Sequence, residues 1–225
     1  MSFKILYVAA TSQEADVLSR IESIIPGYGK FLYGEYEIDI LVGGVGSMST
    51  AWSMTQWISV NEKPSLAING GIAGSYSGAY PVGNVVMPVS DCFADAGIED
   101  GANFLTLHET GLSDPDEFPF INGVITAENK YAEIIKSIVE PVRAITVNTS
   151  TGSEATRDKL IDKFNPDIET MEGAVFFYIC AREKIPFIAL RAISNMVERR
   201  NRSRWNIPHA LDNLALKLED VLKIL

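Results

Sequence analysis

The chain is poor in the residues that build metal centres and disulfide frameworks. It has two cysteines in 225 residues, Cys92 and Cys180. Neither belongs to a CxxC pair, so no redox or thiolate metal motif is encoded, and both are expected as reduced, buried thiols. Its two histidines, His108 and His209, have no companion at metal-ligand spacing, which argues against a zinc site. Positive charge is scarce too: Lys and Arg number 19 against 29 Asp and Glu, a net charge of −10. An acidic surface repels phosphate backbones and anionic membranes, so neither is an expected partner. A small anionic ligand stays admissible, because a pocket can be locally basic. No apolar run reaches the length of a bilayer span. The run Lys4–Ala10 is short and is followed at once by Gln13, Glu14 and Asp16, so it reads as a first buried strand rather than a signal peptide. A cytoplasmic protein is expected.

What is present is an ordinary globular composition, 47% hydrophobic and 21% charged, long enough for one large domain over residues 1–225. Strand and helix patterns alternate from end to end. Strands are expected at Lys4–Ala10, Glu37–Val42, Leu66–Asn69, Asn84–Val89, Val142–Thr149 and Phe187–Ile193. Helical spacing covers Gln13–Ile25, Ser47–Val60, Arg157–Phe164, Met171–Glu183 and Pro208–Leu225. This is an α/β pattern without repeat or linker. Only Asp95–Gly123, rich in Asp, Gly and Pro, reads as long loops.

Polar side chains gather where apolar strands stop, the usual place for ligand chemistry in an open α/β sheet. Glu172 follows Met171 in the segment Glu169–Ala174, and Ser194 and Asn195 end the run from Arg191. A carboxylate able to hold two hydroxyls, beside an amide able to hold a ring edge, suits a nucleoside. Glu172 and Asn195 could instead begin a helix and cap a turn. Glu14 lies just beyond the first strand; it is a candidate general acid/base, or a carboxylate that caps its helix. Gly43–Gly46 joins a strand to a helix and could meet a ligand or an anion. It is neither a Walker A loop nor a dinucleotide fingerprint, and could be a plain tight turn. Gly70–Gly74 is a flexible turn or a backbone wall against a ring. Arg199, Arg200, Arg202 and Arg204 beside Trp205 form a basic patch, either a solvated loop or a lid that meets an anion.

In this order the segments Ala10–Glu14, Gly43–Gly46, Asn69–Gly74, Met171–Ala174 and Arg191–Asn195 resemble the nucleoside phosphorylase/nucleosidase superfamily over nearly the whole chain. The hydrolytic branch, with methylthioadenosine/S-adenosylhomocysteine nucleosidases and futalosine hydrolases, is the most similar, and Ser194–Pro208 looks most like the futalosine-hydrolase type. The resemblance implies a single-domain, three-layer phosphorylase/hydrolase-like fold, with a central mixed, partly barrel-like sheet flanked by helices. It also implies a homodimer acting on a small purine nucleoside, without metal or organic cofactor. By resemblance Glu14 activates the attacking water, and Glu172 holds the ribose hydroxyls with Met171 beneath the sugar. Ile72 and Ala73 line sugar and base, and Thr156 contacts the purine through its backbone. Ser194 and Asn195 face the base, and Trp205 belongs to a C-terminal lid with Arg202 and Arg204.

Two departures stand out. Ala155 occupies the approximate place of a Phe that stacks on the purine in adenosine nucleosidases, and Asn195 stands where they carry Asp. An amide always keeps an NH₂ donor, which suits the O6 and N7 acceptors of a 6-oxopurine. The implied reaction is therefore hydrolysis of an N-glycosidic bond with hypoxanthine as leaving group. Adenosine-type nucleosidase action and, through Ser49 and Thr50, phosphorolysis are the alternatives.

Overall fold

The computed structural model describes residues 3–27 and 30–225. In chain order the strands are β1 (Phe3–Ala9), β2 (Ile25–Pro26), β3 (Phe31–Tyr33), β4 (Tyr36–Val42), β5 (Leu66–Ser75), β6 (Val85–Asp91), β7 (Gly97–Asp100), β8 (Asn103–Thr106), β9 (Ile125–Thr126), β10 (Glu140–Thr146), β11 (Ile168–Thr170) and β12 (Phe187–Met196). The α-helices are α1 (Ser12–Ala15), α2 (Ser47–Val60), α3 (Lys130–Ile135), α4 (Glu154–Phe164), α5 (Gly173–Arg182) and α6 (Ile207–Ile224).

Ten strands form one mixed sheet in the order β11-β10-β6-β12-β5-β1-β4-β3-β2, with β9 on β6 and an extra pairing of β11 with β5. That pairing closes β5, β12, β6, β10 and β11 into a ring, the barrel-like half, while β1 to β4 extend it as an open sheet. Strands β1, β4, β5 and β12 run parallel, so their carboxyl ends share one edge.

The three layers follow from period-two burial on β1. Ile5, Tyr7 and Ala9 face a core shared with Leu211, Leu214 and Leu218 of α6. Leu6 and Val8 face the opposite core, with Phe176, Phe177 and Cys180 of α5. Successive side chains of a strand point to opposite faces, so an unbroken apolar run must be covered by helices on both.

The expected helix Ser47–Val60 forms as such. The expected helix Gln13–Ile25 does not. It is one α turn, Ser12–Ala15, followed by a 3₁₀ stretch, Asp16–Arg20. Ser19 Oγ shares its one proton between the Asp16 carbonyl, 2.7 Å away, and the Asp16 carboxylate, 2.6 Å away, a local bond that competes with helix propagation. Gly70–Gly74 is no flexible turn either: β5 runs through it to Ser75. Within Asp95–Gly123, expected as loops, β7 and β8 make a hairpin.

Candidate active site

The site is assembled at the carboxyl ends of the parallel strands. Thr11, just after β1, caps α1, and Glu14 returns the bond in a reciprocal capping box. Oε2 of Glu14 accepts from the Thr11 amide at 3.0 Å and its hydroxyl at 2.8 Å. Oε1 crosses to the neighbouring strand and accepts from the Ile72 amide at 3.0 Å. Glu14 is therefore both cap and site group, buried at 7% exposure. A carboxylate has about four lone-pair positions. Three are filled, and the one left on Oε1 can take the proton of a single water.

The floor beneath Glu14 is glycine for a steric reason. A Cβ on Gly71 would lie 2.7 Å from Glu14 Oε1 and 3.2 Å from Arg191 Nη1. Arg191, in the middle of β12, is 2% exposed. Its guanidinium donates to the Asn69 carbonyl at 3.1 Å and to the Asn69 side-chain oxygen. A buried cation must be compensated, and its charge acts on Glu172 and Asp91. No role was expected of Arg191, although an arginine inside the apolar run Phe187–Ile193 was itself the signal.

Glu172 is the N-cap residue of α5, but its side chain does not cap the helix. Its carboxylate points across to Gly46, whose amide donates to Oε1 at 2.8 Å. Gly46 holds that amide in place at φ 87° and ψ 167°, a region essentially reserved for glycine. Burial raises the Glu172 pKa above the ordinary carboxylate value; the Gly46 amide and Arg191 oppose the rise, and the negative charge of Glu14 adds to it.

A β-bulge between Ile193 and Asn195 re-aims the end of β12. The Ser194 hydroxyl donates to Asn195 Oδ1 at 2.8 Å, and Asn195 Nδ2 donates to the Met196 carbonyl at 3.0 Å. A carbonyl can only accept, so these two partners fix which end of the amide is NH₂. The second N–H of Nδ2 remains for a ligand.

Other predicted residues fall in two groups. Ile72, half-buried, and Ala73, buried, lie on β5, whose Ile72 amide holds Glu14, and the half-buried Met171 directly precedes Glu172. Thr156 is exposed in the first turn of α4, where its amide and hydroxyl meet Ser153 Oγ. Arg202 and Arg204 are exposed, and Trp205 is half-buried. Arg204 pairs with both oxygens of Glu198 at 2.9 and 2.8 Å, and the Arg200 guanidinium lies 5.8 Å from the Trp205 ring centroid. A separate cavity of about 750 Å³, lined by Cys92, His108, Phe120, Lys163 and Tyr178 among others, contains none of these residues. Its Lys163 is already paired with Glu109 at 2.6 Å.

The sequence profile of the phosphorylase superfamily matches residues 4–225. A futalosine hydrolase of Acidothermus cellulolyticus is 31% identical over 223 residues, 95% of this chain and 88% of that protein. A 5′-methylthioadenosine/S-adenosylhomocysteine nucleosidase of Buchnera aphidicola is 28% identical over 86% of this chain and 80% of its own length. Among solved structures, the native futalosine hydrolase of Helicobacter pylori superposes with a TM-score of 0.79 at 17% identity, covering 100% of this chain and 99% of that one.

Proposed function

The chain belongs to the phosphorylase superfamily, and on that premise we propose that it is a nucleosidase hydrolysing the N-glycosidic bond of futalosine. The products are hypoxanthine and dehypoxanthine futalosine, in menaquinone biosynthesis. The observation that carries the reading is the division of labour among three side chains at one sheet edge. Glu14 has one acceptor position left, Glu172 turns its carboxylate away from its own helix onto the Gly46 amide, and Asn195 has an oriented N–H.

Breaking the bond leaves oxocarbenium character on the sugar and negative charge on the base. Glu172 accepts from the ribose hydroxyls and stabilises the cation, with Met171 beneath the ring. Glu14 takes the proton of the attacking water. Asn195, oriented by Ser194, donates to the O6/N7 edge as charge builds there. Ile72 and Ala73 form the wall, and the Thr156 backbone meets the purine. Arg202, Arg204 and Trp205 cover the carboxylate-bearing tail.

Methylthioadenosine/S-adenosylhomocysteine cleavage is the second reading, favoured by the similarity of the Buchnera enzyme; the fixed amide of Asn195 speaks for the oxopurine. Phosphorolysis has less support. The Gly46 amide is engaged by Glu172, and Thr50 is 2% exposed, with its hydroxyl directed to the Gly44 carbonyl at 3.4 Å. One domain over 1–225, a cytoplasmic location and a homodimer complete the proposal. Val45, Met48 and Trp52, exposed at and near the start of α2, support a subunit contact. Incubating the protein with futalosine, with and without phosphate, and following free hypoxanthine tests it. Equal release in both conditions is expected, and a strict requirement for phosphate would overturn hydrolysis.

A further inference from the structure

Four helices cap themselves with a side chain: Thr11 on α1, Asn129 on α3, Ser153 on α4 and Asn206 on α6. Helix α5 does not, because its N-cap residue, Glu172, turns its carboxylate to the site. The first amides of a helix need acceptors, and buried ones cannot rely on water. Here two threonines from neighbouring strands supply them. The Gly173 amide donates to Thr170 Oγ1 at 3.1 Å, and the Ala174 amide to Thr146 Oγ1 at 2.7 Å. Thr146 Oγ1 has one proton, which goes to Asp91 Oδ1 at 3.0 Å. Its lone pairs are thereby kept for Ala174 and for the Thr170 hydroxyl at 3.4 Å.

Asp91 ends this chain of hydroxyls. It is 0% exposed, and its Oδ2 has no hydrogen-bond partner. That oxygen sits against the first turn of α5, where a Cβ on Gly173 would lie 2.1 Å from it. The residue next to Glu172 is glycine because this carboxyl fills the space of a side chain.

We infer that Asp91, acting through Thr146 and Thr170, is a positioning residue for Glu172: a surrogate N-cap that leaves the Glu172 carboxylate available to substrate. An acidic or hydroxyl N-cap normally spends its oxygen on the N2 or N3 amide. With that duty moved to Thr146 and Thr170, Glu172 can hold the 2′ and 3′ hydroxyls while staying fixed at the head of α5. Asp91 does not touch substrate. It sets which way the Thr146 hydroxyl points, and so whether the Ala174 amide finds a lone pair. The inference rests on the reading of Glu172 as the ribose-holding group.

The test compares base release from the better of futalosine and methylthioadenosine with release from its 2′-deoxy counterpart. It uses wild type, Asp91→Ala, Thr146→Val and Thr146→Ser. In Asp91→Ala and Thr146→Val, kcat/KM on the ribonucleoside should fall by about tenfold or more, the size of one charge-assisted hydrogen bond. On the 2′-deoxy compound it should fall by less than about threefold, because the lost contact is the one that compound lacks. Thr146→Ser restores the hydroxyl and should restore ribose selectivity. If Asp91→Ala does not fold, the two Thr146 variants carry the same comparison. Equal losses on both substrates, with selectivity intact in wild type, would overturn the positioning role and leave the nucleosidase reading standing. A wild type that releases base equally from both substrates would overturn the ribose-holding role of Glu172, and this inference with it.

Discussion

Glu14 combines two features: it closes the capping box of α1 and, with three hydrogen bonds accepted, keeps one acceptor position free. The two separate under Glu14→Gln. The amide oxygen can still accept from Ile72 or Thr11, but the group can no longer take a proton. Loss of a general base costs on the order of 10²–10⁴ in rate, so kcat should drop by that factor while KM stays within about threefold, as steady-state kinetics will show. A loss below tenfold in kcat would remove Glu14 from the reaction. Asn195 is the second residue-scale lever. Its amide is fixed between Ser194 Oγ and the Met196 carbonyl, so it presents only a donor. Asn195→Asp exchanges that donor for an acceptor, or for an acid when protonated, which matches the N6/N7 pattern of a 6-aminopurine. The ratio of kcat/KM for futalosine over methylthioadenosine should then fall by at least about tenfold, since buried groups left unpaired discriminate strongly. An unchanged ratio would mean that Asn195 does not read the base.

At the scale of elements, the glycines of β5 separate what the sequence discloses from what it hides. In sequence the run Gly70–Gly74 reads as a flexible turn or a backbone wall. In the fold it is part of β5, bare at Gly70 and Gly71 because other side chains fill that space: Tyr7 over Gly70, Glu14 and Arg191 over Gly71. Those approaches come from β1, α1 and β12, far away in sequence, so no local pattern could show them. The same holds for Asp91 and Thr146, which read as ordinary strand-end residues until α5 is laid upon them. Long-period features were legible: the span of α2, the amphipathic α6 and the both-faces-apolar β12 follow from periodicity alone. The segment after β1 was misread because its apolar spacing at Ala15, Leu18 and Ile21 fits a 3₁₀ stretch packed on α6 as well as an α-helix. Gly71→Ala tests the steric account. It should displace Glu14 and cost activity on the order of the Glu14→Gln loss, roughly 10² or more in kcat. Gly78→Ala, where a Cβ would meet nothing within 4 Å, should be silent. Far-ultraviolet circular dichroism and kinetics on both variants check this, and an active Gly71→Ala enzyme would show that Glu14 has room to spare.

The whole molecule is an acidic body, net −10, whose buried charges are mostly negative: Glu14, Asp91 and Glu169 lie within the fold with the single buried cation Arg191 among the described residues. Glu14 and Glu169 are held by backbone amides and hydroxyls, whereas Asp91 has one carboxyl oxygen without a partner. Its burial is the least compensated of the three. Burial pushes its pKa up to about 7, and Glu172 adds to the rise; the Thr146 hydroxyl, Arg191 and the Cys92 amide oppose it. The pKa of the Cys92 thiol, next in the chain, is itself raised to about 12, so it brings no charge in this range. The unfolded value is 3.8. Between pH 3.8 and about 7 the native state therefore binds more protons than the unfolded one, and stability must fall as pH rises through that window. Above it, the cost of ionising the buried group levels off at about 4 kcal/mol. Repulsion within an acidic protein also grows with pH, but it is nearly common to wild type and Asp91→Asn, so their difference isolates the one carboxyl. The asparagine keeps an acceptor for Thr146 and cannot ionise. Its melting temperature should exceed that of wild type by a gap that widens from pH 4 to pH 8, reaching on the order of 10 °C for a chain of this size. A gap that stays constant across the range in scanning calorimetry would mean that Asp91 is already charged at neutral pH, and that the fold carries its buried negative charge by other means.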